Sequence, residues 1–214
     1  MIFLKKIAIF DLDGTLVDSM SRFTVGLLTI LDENGIKYDR NEMINIITPF
    51  GYTKSAEYFI SLGVKGTTEE IVKKMGDNLV AEYTNNIKLK PFVGEYLKKL
   101  KNDGYALYVL TASPHLVTDP CLKNNGVYDL FTEVWSVEDF SMTKSEIELF
   151  YKIYKDIDCR PEEILYFDDN VTAVTNAKKA GYTAIGVKDN QTQSDLEIIK
   201  NTASKFIESF EEML

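Results

Sequence analysis

The stretch Ile7–Ala8–Ile9–Phe10–Asp11–Leu12–Asp13–Gly14–Thr15 sets two carboxylates one residue apart at the end of an apolar, β-branched run that breaks on glycine. The run has the composition of a strand buried on both faces. Ionised aspartates at its carboxyl end are costly, because desolvation and mutual repulsion both oppose their charge, so a cation or a chemical task must offset them. Open α/β sheets bind their ligands at that edge. A second acidic pair, Asp168 and Asp169, follows another such run, Ile164–Leu165–Tyr166–Phe167. Two acidic pairs at one sheet edge call for a divalent cation that prefers oxygen ligands.

Working outward, four short apolar runs recur along the chain: Lys6–Phe10, Ala106–Leu110, Ile164–Phe167 and Tyr182–Val187, with Thr132–Trp135 as a weaker fifth. They alternate with helical patterns over Val93–Asn102, His115–Asn124, Lys144–Asp156 and Val171–Ala180, and Gly104, Gly126 and Gly181 stand where such helices should stop. This alternation predicts an α/β fold, a Rossmann-like doubly wound parallel sheet core with helices on both faces. The span from Ser19 to about Leu89 breaks the rhythm. Arg22–Asn34, Lys54–Leu62 and Thr68–Tyr83 space their apolar residues at helical intervals, with no strand of comparable strength among them. The expected organisation is therefore a core of residues 1–18 and 86–214 with an inserted α-helical cap domain, residues 19–85. Ile198–Leu214 reads as a final amphipathic helix.

A chain of 214 residues that is 45% hydrophobic can bury a core without disulfides or metal staples. Its net charge of -9 repels a nucleic-acid backbone, and no lysine-rich stripe interleaved with aromatics compensates, so no nucleic-acid partner is expected. No apolar stretch approaches the roughly 20 residues that span a bilayer, so no membrane partner is expected either. Cys121 and Cys159 lack metal-ligand spacing, and Met1–Lys6 has no signal-peptide pattern, which together point to a cytoplasmic setting. Monomer and homodimer both remain open.

The chemistry follows from residue types and spacing. An aspartate carboxylate such as Asp11 can attack phosphorus and split one hard displacement into two easier ones. Asp13, one period of extended chain further on, points to the same face and can protonate a leaving oxygen and then activate water. Gly14 permits a sharp turn, and Thr15 offers a hydroxyl to a neighbouring carboxylate. A lone Asp-Gly after a strand is often only a turn; the five-residue string is more specific. Thr111 closes the run Leu107–Leu110, where its hydroxyl and the amides of Ala112 and Ser113 can cradle a phosphoryl group, although a strand-terminal threonine can equally be a helix cap. Lys144, at the first turn of a helical pattern, sits where a cation is electrostatically misplaced unless an anion lies nearby; otherwise it is a solvated lysine. Asp169 is expected to ligate the metal directly with Asp168 in support, beyond the capping that one carboxylate would supply. His115, the single histidine, reads first as structural.

In this order, Asp11–Leu12–Asp13–Gly14–Thr15, Thr111, Lys144, and Asp168–Asp169 ahead of Ala177–Lys178–Lys179–Ala180–Gly181, the motifs resemble the haloacid dehalogenase-like hydrolases with a helical cap inserted after the first strand. The resemblance implies a Mg2+-dependent phosphatase acting on a small phosphorylated metabolite. It makes Asp11 the nucleophile, Asp13 the general acid/base, and Thr111 and Lys144 the phosphate holders. The Mg2+ ligands it implies are Asp11, the carbonyl oxygen of Asp13, and Asp169. It also suggests that the cap touches the rest of the substrate around Gly51 and Lys54. Ala112–Ser113 after Thr111, and Ser145 after Lys144, depart from the family's commoner residues. A sugar-phosphate mutase of the same family is the nearest alternative, against which Thr15 argues, since related mutases tend to carry a branched apolar residue there. Organohalide hydrolases lack the Asp-x-Asp pair, and phospho-accepting receiver modules lack both the string and the insertion.

Overall fold

The computed structural model describes residues 5–47, 50 and 52–214. Six parallel strands, β1 (Ile7–Phe10), β2 (Ala106–Thr111), β3 (Glu133–Ser136), β4 (Ile164–Asp168), β5 (Thr183–Val187) and β6 (Lys205–Ile207), form one sheet. Their order is β3-β2-β1-β4-β5-β6, with β1 registered Ile7 to Ala106 on one side and Ile7 to Ile164 on the other. The chain therefore winds outward one way from β1, then crosses back and winds the other way from β4. The crevice of such a sheet opens at the carboxyl ends of the two strands that flank the reversal. Here those ends carry Asp11 and Asp168.

The two faces of β1 explain its unbroken apolar run. Ile7 and Ile9 pack with Tyr108, Tyr166 and Phe150 on one side. On the other, Phe10 stacks on Phe167 with ring centroids 4.5 Å apart and meets Tyr96 edge-on at 6.4 Å. All four β1 residues are buried. The sheet is flanked by α5 (Val93–Asn102), α6 (His115–Asn124), α7 (Ile147–Asp156), α8 (Val171–Lys179) and α9 (Gln193–Thr202).

The chain divides into two compact units, Met1–Asp18 with Lys88–Leu214, and Ser19–Ile87. The second unit is helical, built from α1 (Met20–Glu33), α2 (Arg40–Ile47), α3 (Tyr52–Ser61) and α4 (Thr68–Asn85). Leu28, Leu31, Ala56, Phe59 and Met75 form its own core, and a reciprocal Thr67–Glu70 capping box starts α4. The fold class is thus the expected one, a Rossmann-like sheet with a helical insertion. Among the described residues no helix is long and apolar enough to cross a membrane, and both cysteines are free.

Two expectations on the chain's elements are corrected, and one element is new. The segment Ile198–Leu214 is not one helix: α9 ends at Thr202, and the chain then adds β6 and a 3-10 turn, Phe210–Met213. The edge of β5 supplies the reason, since the Ser204 N–H donates to the Ala184 carbonyl at 2.7 Å and the Lys188 N–H to the Ile207 carbonyl at 2.9 Å. Pairing an open strand edge outweighs a helical pattern whose apolar residues, Ile207 and Phe210, are buried by a strand and a turn just as well. Lys144 does not open α7, which starts at Ile147; it lies in the preceding turn, where the Thr143 N–H donates to Glu146 Oε1 at 2.7 Å. The short, polar α2 was not foreseen at all.

Candidate active site

Asp11 follows β1 directly, and its N–H donates to the Phe167 carbonyl at 2.9 Å, which extends the β1–β4 pairing to the base of the site. The chain then coils tightly: the N–H groups of Leu16 and Val17 both donate to the Leu12 carbonyl, at 2.9 and 3.0 Å. Gly14 takes φ +78° in this coil, and a Cβ there would stand 2.7 Å from Asp169 Oδ2. Only glycine lets the two acidic loops touch.

Lys144 is half-buried, and its ammonium donates to Asp11 Oδ1 and, at 2.9 Å, to Asp168 Oδ2. The turn that carries it is held by Asn176, whose side-chain amide donates to the Lys144 and Ser145 carbonyls at 3.1 and 3.0 Å. Asp168 Oδ2 also accepts from the Tyr166 hydroxyl at 2.6 Å, and Oδ1 accepts from the Asn170 N–H at 2.8 Å. Asp168 Oδ2 thus meets the lysine while Oδ1 is held by the main chain of its own loop. Asp169 Oδ1 accepts a longer bond from the Thr15 hydroxyl, at 3.2 Å. One oxygen each from Asp11, Asp168 and Asp169 fall within 4.8 Å of one another.

These groups share a cavity of about 350 Å³, which Asp13, Thr111, Ala112 and Val137 also line. Thr111 is the last residue of β2, and its Oγ1 accepts from the Ser113 N–H at 3.0 Å, which leaves the hydroxyl proton to donate. The Ser113 hydroxyl donates to Asp13 Oδ2 at 2.6 Å. Ser113, expected at the substrate, therefore spends both its hydroxyl and its N–H within the protein. His115 stands on the first turn of α6, outside the cavity lining, with Nδ1 3.0 Å from Asp119 Oδ1 and Nε2 3.0 Å from Asp139 Oδ2. Its hydrogen bonds to Asp119 and then Asp139 raise its pKa. Lys54 belongs to α3 of the helical unit, and Gly51 lies outside the described residues.

The carboxylates set the electrostatics of the cavity. Burial pushes the Asp11 carboxyl well above the usual carboxylate range; Lys144 opposes this, while Asp168, Asp169 and Asp13 add to it. Burial, then Asp168 and Asp189, push Asp169 up to about 7. For Lys144 burial works the other way, but Asp11 and Asp168 outweigh it and raise its pKa, so it stays charged. One ammonium does not neutralise this much buried carboxylate. A hard divalent cation fits the donor set, which is made of carboxylate oxygens.

Two partners found here had different prospects from the sequence. Tyr166 precedes Asp168 by one strand period, so its place on the same face was readable. Lys90 gave no such signal, yet its ammonium donates to the Gly14 carbonyl from far along the chain.

The reversal point of the parallel sheet thus carries buried Asp11 and Asp168 paired with one lysine. Residues 8–187 match the family described as haloacid dehalogenase-like hydrolase, and the chain belongs to that family. It is similar to a phosphoglycolate phosphatase from Mannheimia succiniciproducens, 27% identical over 194 residues that cover 85% of each chain. Among solved structures, a Thermotoga maritima protein assigned as a beta-phosphoglucomutase superposes with a TM-score of 0.82 at 20% identity, covering 94% of each chain. The magnesium-bound YfnB from Bacillus subtilis superposes with a TM-score of 0.78 at 17% identity, covering 99% of this chain and 97% of that one. The two superpositions speak to the fold. With its curated relatives, the chain is an enzyme of the phosphatase class.

Replacing Gly14 by alanine should lower the unfolding free energy by about 2 kcal/mol, the sum of a left-handed alanine and a Cβ against Asp169. Chemical denaturation reads this, and parent-like stability would contradict the close approach.

Proposed function

We propose that this enzyme is a Mg2+-dependent phosphatase that hydrolyses a small phosphorylated metabolite through an aspartyl phosphate on Asp11. The observation that carries the reading is convergence: Asp11, Asp13, Lys144 and Asp169, distant along the chain, line one cavity. The curated phosphoglycolate phosphatase relative supports a small phosphate ester as the substrate. Two free thiols suit a cytoplasmic setting.

In the first step an Asp11 oxygen forms a bond to phosphorus as the ester P–O bond breaks, and Asp13 gives its proton to the departing alkoxide. In the second, Asp13 takes a proton from water as the water oxygen attacks the same phosphorus, which releases inorganic phosphate and restores the Asp11 carboxylate. Lys144 holds negative charge at Asp11 and, oriented by Asp168, faces the phosphoryl oxygens. The Thr111 hydroxyl and the amide of Ala112 hold them from the opposite side. Asp11, the Asp13 carbonyl and Asp169 would hold Mg2+, which supplies positive charge to the phosphoryl oxygens and to the crowded carboxylates. Positioning and electrostatics do most of the work in phosphoryl transfer.

For Asp11→Asn we expect turnover to fall by roughly 10³-fold or more while the fold survives. Asp13→Ala should turn over slowly and accumulate protein heavier by one phosphoryl group, read by mass spectrometry. Phosphate release from a panel of phosphosugars and phosphoglycolate is the assay; isomer formation without phosphate would indicate a mutase instead. Near-normal activity of Asp11→Asn removes Asp11 from the nucleophile role.

Asp169 also sets a pH dependence. Its folded pKa, about 7 against an ordinary 3.8, lies above the unfolded value, so its contribution to metal-free stability is full below the unfolded value and is lost as pH rises through about 7. Metal takes the deprotonated carboxylate. The rise in Tm on adding Mg2+ should therefore be larger at pH 8 than at pH 6, and equal shifts at both would refute the assignment of Asp169 as a ligand.

A further inference from the structure

Behind the carboxylates stands a second ion pair that the reaction does not use. Lys90 lies three residues past the helical unit, on the segment that re-enters the sheet, and its N–H donates to the Leu16 carbonyl at 2.9 Å. Its side chain is 15% exposed, and its ammonium meets the Asp189 carboxylate, 8% exposed, at 2.8 Å. The same ammonium donates to the Lys188 carbonyl at 2.9 Å and to the carbonyl of Gly14. From Asp189 the chain of bonds continues. The Asp189 N–H donates to Gln191 Oε1 at 2.7 Å, and Gln191 Nε2 donates to the main-chain carbonyls of Asp169 at 2.9 Å and Val187 at 2.8 Å.

We infer that Lys90 is a positioning residue that, with Asp189 and Gln191, fixes the separation between the turn Asp11–Thr15 and Asp169, so that both loops present oxygens to one Mg2+. Two observations carry this. Lys90 grips the turn at Gly14, where a Cβ would stand 2.7 Å from Asp169 Oδ2. Gln191 grips Asp169 by its main chain. A buried ion pair is no more stabilising than a well-packed apolar pair, so what this one adds is direction: its acceptors converge on a single nitrogen. The loop after β5 thereby becomes the backing of the site, though none of its side chains lines the cavity. This inference rests on the phosphatase reading above.

The test uses the full chain, stripped of metal, and the double variant Lys90→Met/Asp189→Asn. The double change removes one positive and one negative charge, so the net charge behind the site is unchanged; because the Asp189 charge also acts on Asp169, Lys90→Arg, which keeps both charges, is titrated beside it, and a fall in cation affinity shared by both reports geometry. Mg2+ alone is titrated by calorimetry, metal-free melting checks the fold, and phosphate release gives kcat and KM. We expect Mg2+ affinity to fall about 10- to 100-fold, as for other residues that orient metal ligands, and kcat to fall with it while KM changes by less than about 2-fold. Parent-like Mg2+ affinity and kcat in the double variant would overturn the inference. Should that variant not fold, Lys90→Arg takes its place: a planar fork keeps the charge but not the convergence, so Mg2+ affinity should fall with melting preserved, and unchanged affinity overturns the inference. A parent that neither binds Mg2+ nor releases phosphate sinks the phosphatase reading itself.

Discussion

Four aspartates and one lysine share the cavity at the carboxyl ends of β1 and β4, and the balance of charge among them governs the rest of the structure. Asp11 is held out of water beside three other carboxylates, and its affinity for a proton rises accordingly. Ionising Asp11, as its proposed role as nucleophile requires, takes positive charge supplied from within the protein. Lys144 supplies part of it, and much of the local architecture serves to keep that lysine in place. Tyr166 and Asn170 fix its partner Asp168, while Asn176 holds the turn from which it projects. The proposed divalent cation would bring the remainder of the charge.

The parallel sheet makes this concentration possible. The strand order places β1 and β4 side by side at the reversal, so Asp11 and Asp168, 157 positions apart in the chain by their numbers, end on neighbouring strands. β2 delivers Thr111 on the other flank of β1. The aromatic stack of Phe10 and Phe167 beneath them anchors the two central strands. Local rules then finish the site: Gly14 allows contact between loops that any side chain would prevent, and Ser113 ties the loop after β2 to Asp13.

Much of this was legible in the chain because it depends on local pattern. The runs of β1, β2, β4 and β5 are short, apolar and flanked by helical periods, and a parallel sheet turns that pattern directly into burial. Asp11, Asp13, Asp168 and Asp169 stood out because charge at the end of such a run contradicts its surroundings. Where spacing served two structures equally, the sequence was ambiguous: Ile207 and Phe210 fit a helix as well as the strand and turn that β5 recruits. Lys144 was readable as a residue out of place, but α7 starts at Ile147, three positions later than periodicity suggests. Lys90, Asp189 and Gln191 were not legible, because their meaning lies in acceptors on distant loops and nothing beside them in the chain marks it.

The central claim is that Asp11 bonds phosphorus while sharing one cation with Asp169. A crystal structure of the protein with Mg2+ and fluoroberyllate, a mimic of a phosphoryl group on aspartate, tests it most directly. The account predicts beryllium attached to an Asp11 oxygen, Mg2+ shared by Asp11 and Asp169, and Lys144 still paired with Asp168. Fluoroberyllate on Asp13, or Mg2+ bound without Asp169, would contradict it.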